Sequence, residues 1–164
     1  MSSHIRALRA HVGNARLLVP SVSGIIRDGD GRILLVQQRD DGKWSTPGGA
    51  IEMDETPANA VVREVWEENG LVVVPTRLIG VYGGPSFVVR YPNGDETQYI
   101  SAMFACEVQS GELRADGDEV HTLQYWSLDE ALRLPLSPWL VDMLPRLYDG
   151  GLTAWFEPAS LRPD

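Results

Sequence analysis

The stretch "TPANAVVREVWEENG", residues 56–70, constrains this chain more than any other. Thr56 can cap a helix, Pro57 suits its first position and Gly70 suits a left-handed stop after Asn69, so the spacing predicts a helix over 57–69. With about 100° between successive residues, Ala58, Val61, Val62 and Val65 share one arc, the face expected against a core. Glu64, Glu67 and Glu68 fall on the neighbouring arc, at the rim of that core and toward the helix C-terminus. Each like-charge pair a turn apart costs an isolated helix about 0.2–0.5 kcal/mol. Each exposed carboxylate near the C-terminal end costs a further 0.3–1 kcal/mol or so. Such a helix is either a solvated acidic face on which Arg63 pairs with Glu67, or one half of a cation site. The Gly48-Gly49 pair just upstream tilts the balance to the cation, because backbone without a Cβ can pass close to a ligand or turn a carbonyl to an ion. The hard cations Mg²⁺ and Mn²⁺ prefer such oxygen ligands.

Around this helix the pattern predicts strands and short helices. Ile5, Leu8 and Val12 at helical spacing predict an amphipathic helix over 3–12. "RLLVPSVSGIIR" and "GRILLVQQR" predict strands joined as a hairpin by "DGDG", and "DDGKWSTPGG" predicts a turn, a short strand and a glycine loop. "LVVVPTRLIGVY" predicts a strand with Pro75 at an edge or bulge. "GGPSFVVRYPNGDETQYISAMFACEV" predicts a second hairpin with Asn93-Gly94 in a type I′ turn. Within it Ile100, Ala102, Phe104, Cys106 and Val108 alternate onto one apolar face, which makes Cys106 an inert buried thiol. "LQYWSLDEALRL" predicts a strand running into a helix, with Ser127 and Glu130 at capping-box spacing. A last helix is expected to start at Ser137-Pro138 and to end or kink near Pro145. This order implies one α+β or α/β sandwich domain over residues 1–164, with a helical extension at 1–16 and a C-terminal helix and tail at 136–164.

Composition narrows the function. A formal charge of −9 argues against sequence-independent nucleic-acid binding, which draws on Lys and Arg, and leaves small anions whose charge a metal offsets. Arg6, Arg9, Arg16 and Arg27 lie in a first stretch without acidic residues, either as a solvated basic face or as contacts to substrate or a second subunit. No apolar run suits a membrane span or signal peptide, and the lone cysteine suits a reducing compartment, so a cytoplasmic location is expected. His4, His11 and His121 lack zinc-like spacing, and neither a phosphate-binding GxxxxGK[ST] loop nor a GxSxG nucleophile motif occurs.

From Gly49 the chain reads glycine, five residues, Glu55, seven residues, Arg63-Glu64-Val65, any residue, Glu67-Glu68, any residue, Gly70-Leu71. This pattern resembles the Nudix box of the Nudix hydrolases. The preceding "WSTPGG" and the later "YWSLDEAL" are similar to family features too, so the likeness spans most of residues 17–135. Thr46 departs from it where many members carry leucine, with a local packing effect expected.

The resemblance implies a Nudix fold, an α/β/α sandwich with a mixed β-sheet flanked by helices. It also implies hydrolysis, by metal-activated water, of the diphosphate (pyrophosphate) bond of a nucleoside diphosphate linked to another moiety. Mg²⁺ (or Mn²⁺) would be held by Glu64, Glu67, Glu68 and the carbonyl of Gly48, with Glu52 joining through water. Bridging metal ions neutralise a diphosphate and orient the attacking water, and a nearby carboxylate takes its proton. Glu64 and Glu67 are both candidates for that base, Arg63 would orient a carboxylate such as Glu64, and Glu55 would fix loop and helix. Glu119 is an outlying ligand or base, or an exposed turn residue.

Expected partners are a small nucleotide substrate and, by family likeness, a second copy in a homodimer, but no membrane and no nucleic acid beyond a 5′-phosphorylated end. Trp44, Tyr82, Phe87, Tyr91 and Tyr99 are either a stacking surface for a base or packing residues. Pro85 stands slightly too close to the box to match the proline that ADP-ribose hydrolases often carry. The alternatives are a non-catalytic Nudix-fold module that senses nucleotides or binds a protein, which the intact box opposes, and an isomerase of isoprenoid diphosphates, which Cys106 on an apolar face does not support.

Overall fold

The computed structural model describes residues 3–151 and 153–160. Its helices are α1 (Ser3–Val12), α2 (Pro57–Asn69), α3 (Leu128–Ala131), α4 (Pro138–Val141) and α5 (Leu144–Asp149). Its strands are β1 (Leu17–Ile26), β2 (Ile33–Gln38), β3 (Trp44–Ser45), β4 (Leu71–Tyr82), β5 (Val88–Arg90), β6 (Glu96–Gly111) and β7 (Val120–Trp126). Strand β6 runs parallel to β1 and antiparallel to β4 and β5, and β2 lies between β3 and β7 in a second, antiparallel sheet. No helix among the described residues is long and apolar enough to cross a membrane.

The sheets carry a core on each side. On one side Ala60, Val61 and Val65 of α2 pack on Val22, Ile26, Leu34, Val73 and Cys106. On the other, Leu140, Leu144 and Leu147 of α4 and α5 pack on Ile25, Ile33, Leu35 and Met103. The result is an α/β/α sandwich around a mixed sheet, as the resemblance implies. Burial pushes the Cys106 thiol up to about 12, which keeps it inert.

Four local expectations are corrected. The "DGDG" turn forms, closed by the Asp28 side chain on the N–H groups of Asp30 and Arg32, but no hairpin follows. Only the Arg27–Ile33 bridge joins its arms, and β1 instead pairs with β6 from Leu17↔Thr97 to Ile26↔Cys106. The cause is that β1 is apolar toward both cores, the pattern of a strand covered on both faces.

Residues 92–94 are not a type I′ turn, since Gly94 has a positive φ (88°) and Asn93 does not. Pro92 fixes the conformation of a type I turn, and Gly94 takes the left-handed position that completes a three-residue loop. On β6, Cys106 is buried but Ile100 and Val108 are 45% and 42% exposed. At about 1.5 Å per residue α2 is far shorter than a strand of 16 residues rising about 3.3 Å each, so the strand outruns its cover. The last helix is two pieces rather than one kinked at Pro145, which sits in the first turn of α5. A proline cannot donate to the carbonyl of Val141 and its ring crowds it, so the break falls at 142–143.

The long strand β4 lies at a sheet edge and carries bulges at 75–77 and 78–80, in keeping with Pro75. The C-terminal tail covers part of that edge: Trp155 N–H donates to Ile79 O (2.8 Å) and Val81 N–H to Trp155 O (3.1 Å).

Leu34, fully buried beneath α2, is the simplest probe of that core. Leu34→Ala is expected to lower the unfolding free energy in urea by about 2–5 kcal/mol. A loss well below that range would mean that the site collapses onto the vacancy.

Candidate active site

Helix α2 is capped as its sequence predicts. Thr56 Oγ1 accepts from Asn59 N–H (3.2 Å), and Gly70, at φ 70°, donates to Trp66 O (3.0 Å). Its buried face is rotated from the expected arc, to Ala60, Val61, Val65, Glu68 and Asn69, leaving Ala58 exposed. Ala58 lies in the first turn, before the helix meets the sheet. This rotation carries Glu68 inward.

The carboxylates therefore sit in three environments: the side chain of Glu64 is 14% exposed, that of Glu67 57%, and Glu68 as a residue only 5%. Burial raises the pKa of Glu64 against the pull of Arg63. Burial raises that of Glu68 well above the usual range, with Glu64, Glu119 and Asp116 adding repulsion and the Gly48 N–H opposing.

The loop before α2 is laced to β1 by Val22 N–H to Gly49 O (2.9 Å) and Gly24 N–H to Pro47 O (2.9 Å). Gly48 N–H donates to Glu68 Oε2 (2.9 Å). A Cβ on Gly49 would stand 2.6 Å from the carboxyl atoms of Glu64, so only glycine leaves this space open.

Arg63 joins loop and helix. Its Nε donates to Glu55 Oε1 (2.9 Å), and its Nη2 to Glu55 Oε2 (2.9 Å) and Ala50 O (3.0 Å). Its Nη1 donates to Glu64 Oε1 (2.8 Å) and Glu67 Oε2 (3.1 Å). Glu55, its pKa lowered chiefly by Arg63, also accepts from Glu52 N–H (3.1 Å). The Arg63–Glu67 pair expected of a solvated face is thus present, inside a larger network that includes Glu64 and Glu55.

Gly48, Gly49, Glu52, Arg63, Glu64, Glu67 and Glu68 line one cavity of about 700 Å³. Glu119 joins them from the loop before β7, together with Asp116, whose N–H donates to Glu68 O (3.2 Å). The cavity also reaches Phe87, Tyr91 and Tyr99. Trp44 and Tyr82 are core residues and do not reach it. Several lining residues were not marked as site residues in the sequence, among them Trp139, an unmarked position in a short helix, and Asp116, and of the four scattered arginines weighed there as contacts it is Arg9 that lines the cavity.

The basic stretch is neither wholly solvated nor a bare contact surface. Arg16 pairs with Glu96 (2.9 Å), and Arg27 donates to Leu147 O and lies over the Tyr148 ring.

Carboxylates outnumber the cavity's arginines, Arg9, Arg39 and Arg63, so an anion entering it needs added positive charge. The donors are oxygens, and the Gly49 space keeps Glu64 accessible beside Glu68, which fits a hard divalent cation. Among the described residues no three acidic, histidine or cysteine side chains are already gathered at ligating positions. Arg63 holds Glu67 outward while the Gly48 N–H holds Glu68 inward.

The NUDIX domain family matches residues 17–147. The chain is 31% identical over 131 residues to a MutT-like protein of Streptomyces ambofaciens, across 80% of this chain and 78% of that one. It is 38% identical over 117 residues to an ADP-ribose pyrophosphatase of Methanocaldococcus jannaschii, across 70% and 64%. A solved MutT protein from Methanosarcina mazei Go1 superposes with a TM-score of 0.68 at 26% identity, across 81% and 94%. The chain belongs to the Nudix hydrolase family, enzymes that act on pyrophosphate bonds.

The raised pKa of Glu68 fixes the sign of a pH effect. Below the unfolded carboxylate range, about pH 4, both states are protonated and stability is fully present. As pH rises the unfolded chain ionises first, and stability is lost until the buried group ionises too. In chelator at neutral pH, Glu68→Gln is expected to raise Tm by about 2–4 °C per kcal/mol of strain relieved. The gain should vanish near pH 4, and a lower Tm at neutral pH would contradict this account.

Proposed function

We propose that this enzyme uses Mg²⁺ or Mn²⁺ to hydrolyse the diphosphate bond of a nucleoside diphosphate linked to another moiety. The observation that carries the reading is that Glu64, Glu67 and Glu68 line one cavity with the Gly48–Gly49 loop, and that this cavity continues to an aromatic end. The carboxylates of Glu64, Glu67 and Glu68 and the Gly48 carbonyl would hold the cation, with Glu52 and Glu119, which line the same cavity, as outlying supports. When bound, the cation neutralises the diphosphate and makes a water more acidic.

Arg63 sets the angle of Glu64 and Glu67 through the same Nη1, so whichever accepts the water's proton is aimed by one group. Glu55 grips the other side of the guanidinium in a bidentate pair and fixes that aim. A cytoplasmic location agrees with the free, buried Cys106.

A substrate panel with Mg²⁺ tests the reading: ADP-ribose, nucleotide sugars, dinucleoside polyphosphates, nucleoside triphosphates and 5′-triphosphorylated RNA. Turnover of at least one is expected, and folded protein inert toward all of them would point to a nucleotide-binding module instead. Glu67→Gln and Glu68→Gln are each expected to cut kcat by about 10²-fold or more while leaving the fold intact. If both variants kept full activity, the carboxylate assignment would be wrong.

Arg63→Lys should lose about 10–100-fold, nearly as much as Arg63→Ala, because a single ammonium cannot replace the planar fork. Steady-state kinetics showing full rescue by lysine would reduce Arg63 to a point charge.

A further inference from the structure

Two arginines outside the catalytic cavity stand on the sheet face turned away from α2. Ala105 of β6 pairs with Ile25 of β1 on one side and with Arg77 of β4 on the other, so Arg77 shares the face on which Ile25 and Met103 pack against α5. Arg27, two residues after Ile25, emerges on that same face. Its Nη2 donates to Leu147 O of α5, and its guanidinium lies over the Tyr148 ring.

The two guanidiniums thus approach from either side of β6 with no acid between them. Among the described residues neither forms an ion pair. Glu107, which follows Ala105 on the same face, is exposed and pairs with neither. Nη1 of Arg77 is shut off from solvent and has no hydrogen-bond partner. Burial draws the pKa of Arg27 down; Tyr148 opposes the fall and the charge of Arg77 adds to it. A buried nitrogen left without a partner calls for a water or an ion. The second cation decides between them, because a water satisfies the N–H but leaves two like charges facing one another where solvent screens them poorly. An anion answers both.

We propose that Arg27 and Arg77 form a site for a phosphate dianion, free or as a monoester, where β1, β4 and α5 meet. Two strand spacings put the backbones about 10 Å apart, a gap that two arginine stems and one tetrahedral anion fill. Each planar fork matches a pair of phosphate oxygens, and only an anion with more than two oxygens serves both forks. The site goes beyond the diphosphate reading and does not depend on it, although hydrolysis of a diphosphate releases ligands of this class.

Calorimetry on the whole chain tests it, in chelator at about pH 8, where phosphate is mainly the dianion. Inorganic phosphate is expected to bind, and to raise Tm with the logarithm of its concentration, while sodium chloride at equal ionic strength does not. Arg77→Gln is expected to weaken phosphate at least about tenfold, the loss of a hydrogen bond to a charged group, and to leave turnover of any diphosphate unchanged. Arg77→Lys keeps stem and charge should the glutamine variant fail to fold, and it too should bind more weakly because an ammonium lacks the fork. Ribose 5-phosphate separates the two forms of the ligand: binding equal to that of phosphate admits monoesters, and none reserves the site for the free ion.

Equal stabilisation by phosphate and chloride would overturn the site, as would unaltered phosphate affinity in a folded Arg77 variant. Loss of binding in Arg39→Gln alone would place the anion in the catalytic cavity instead.

Discussion

One guanidinium organises the catalytic end of this molecule. Arg63 reaches Glu55, Glu64, Glu67 and the carbonyl of Ala50 with a single planar fork, spanning the glycine loop and the helix that follows it. Without it three carboxylates would crowd the last turns of α2, where the helix dipole already disfavours them. The network offsets repulsion for Glu64 and Glu67 but does not reach Glu68, whose company is the Gly48 N–H and the acidic loop before β7. The site is therefore uneven by construction, with one carboxylate paired and exposed, one paired and mostly buried, and one buried with a single backbone donor.

That unevenness follows from how α2 meets the sheet. Val61 and Val65 lie close to Gly24 of β1, where an added Cβ would meet Val65 Cγ2 at 3.0 Å. Such close approach sets the roll of the helix, and the roll decides which glutamate turns inward. Packing beneath α2 and chemistry above it are thus one geometric fact, held from the other side by the ties between the glycine loop and β1.

The parts of this arrangement legible in the sequence are those that neighbouring residues determine. Thr56, Pro57 and Gly70 fix the ends of α2 by local hydrogen bonds, and Ser127 with Glu130 does the same for α3. The spacing of Arg63, Glu64, Glu67 and Glu68 puts them on one side of one helix, so their meeting needed no tertiary information. What was not legible depends on distant partners. The choice of β6 over β2 as the neighbour of β1 follows from two cores, neither visible in a ten-residue strand. Pro92, read with its neighbours, excludes the type I′ turn that the Asn93-Gly94 pair alone suggests. Arg9 and Trp139 stand far apart along the chain and reach one cavity only through the fold.

The strap that Trp155 lays along β4 has a consequence for the protein in concentrated solution. An edge strand of twelve residues is an open template on which another chain can add a strand, the usual beginning of aggregation. Here the tail occupies the backbone groups at Ile79 and Val81, and Pro75 with its neighbouring bulge interrupts the ladder lower down. The segment around Trp155 thus leaves fewer backbone groups of that edge open to a second chain, and works against self-association through it.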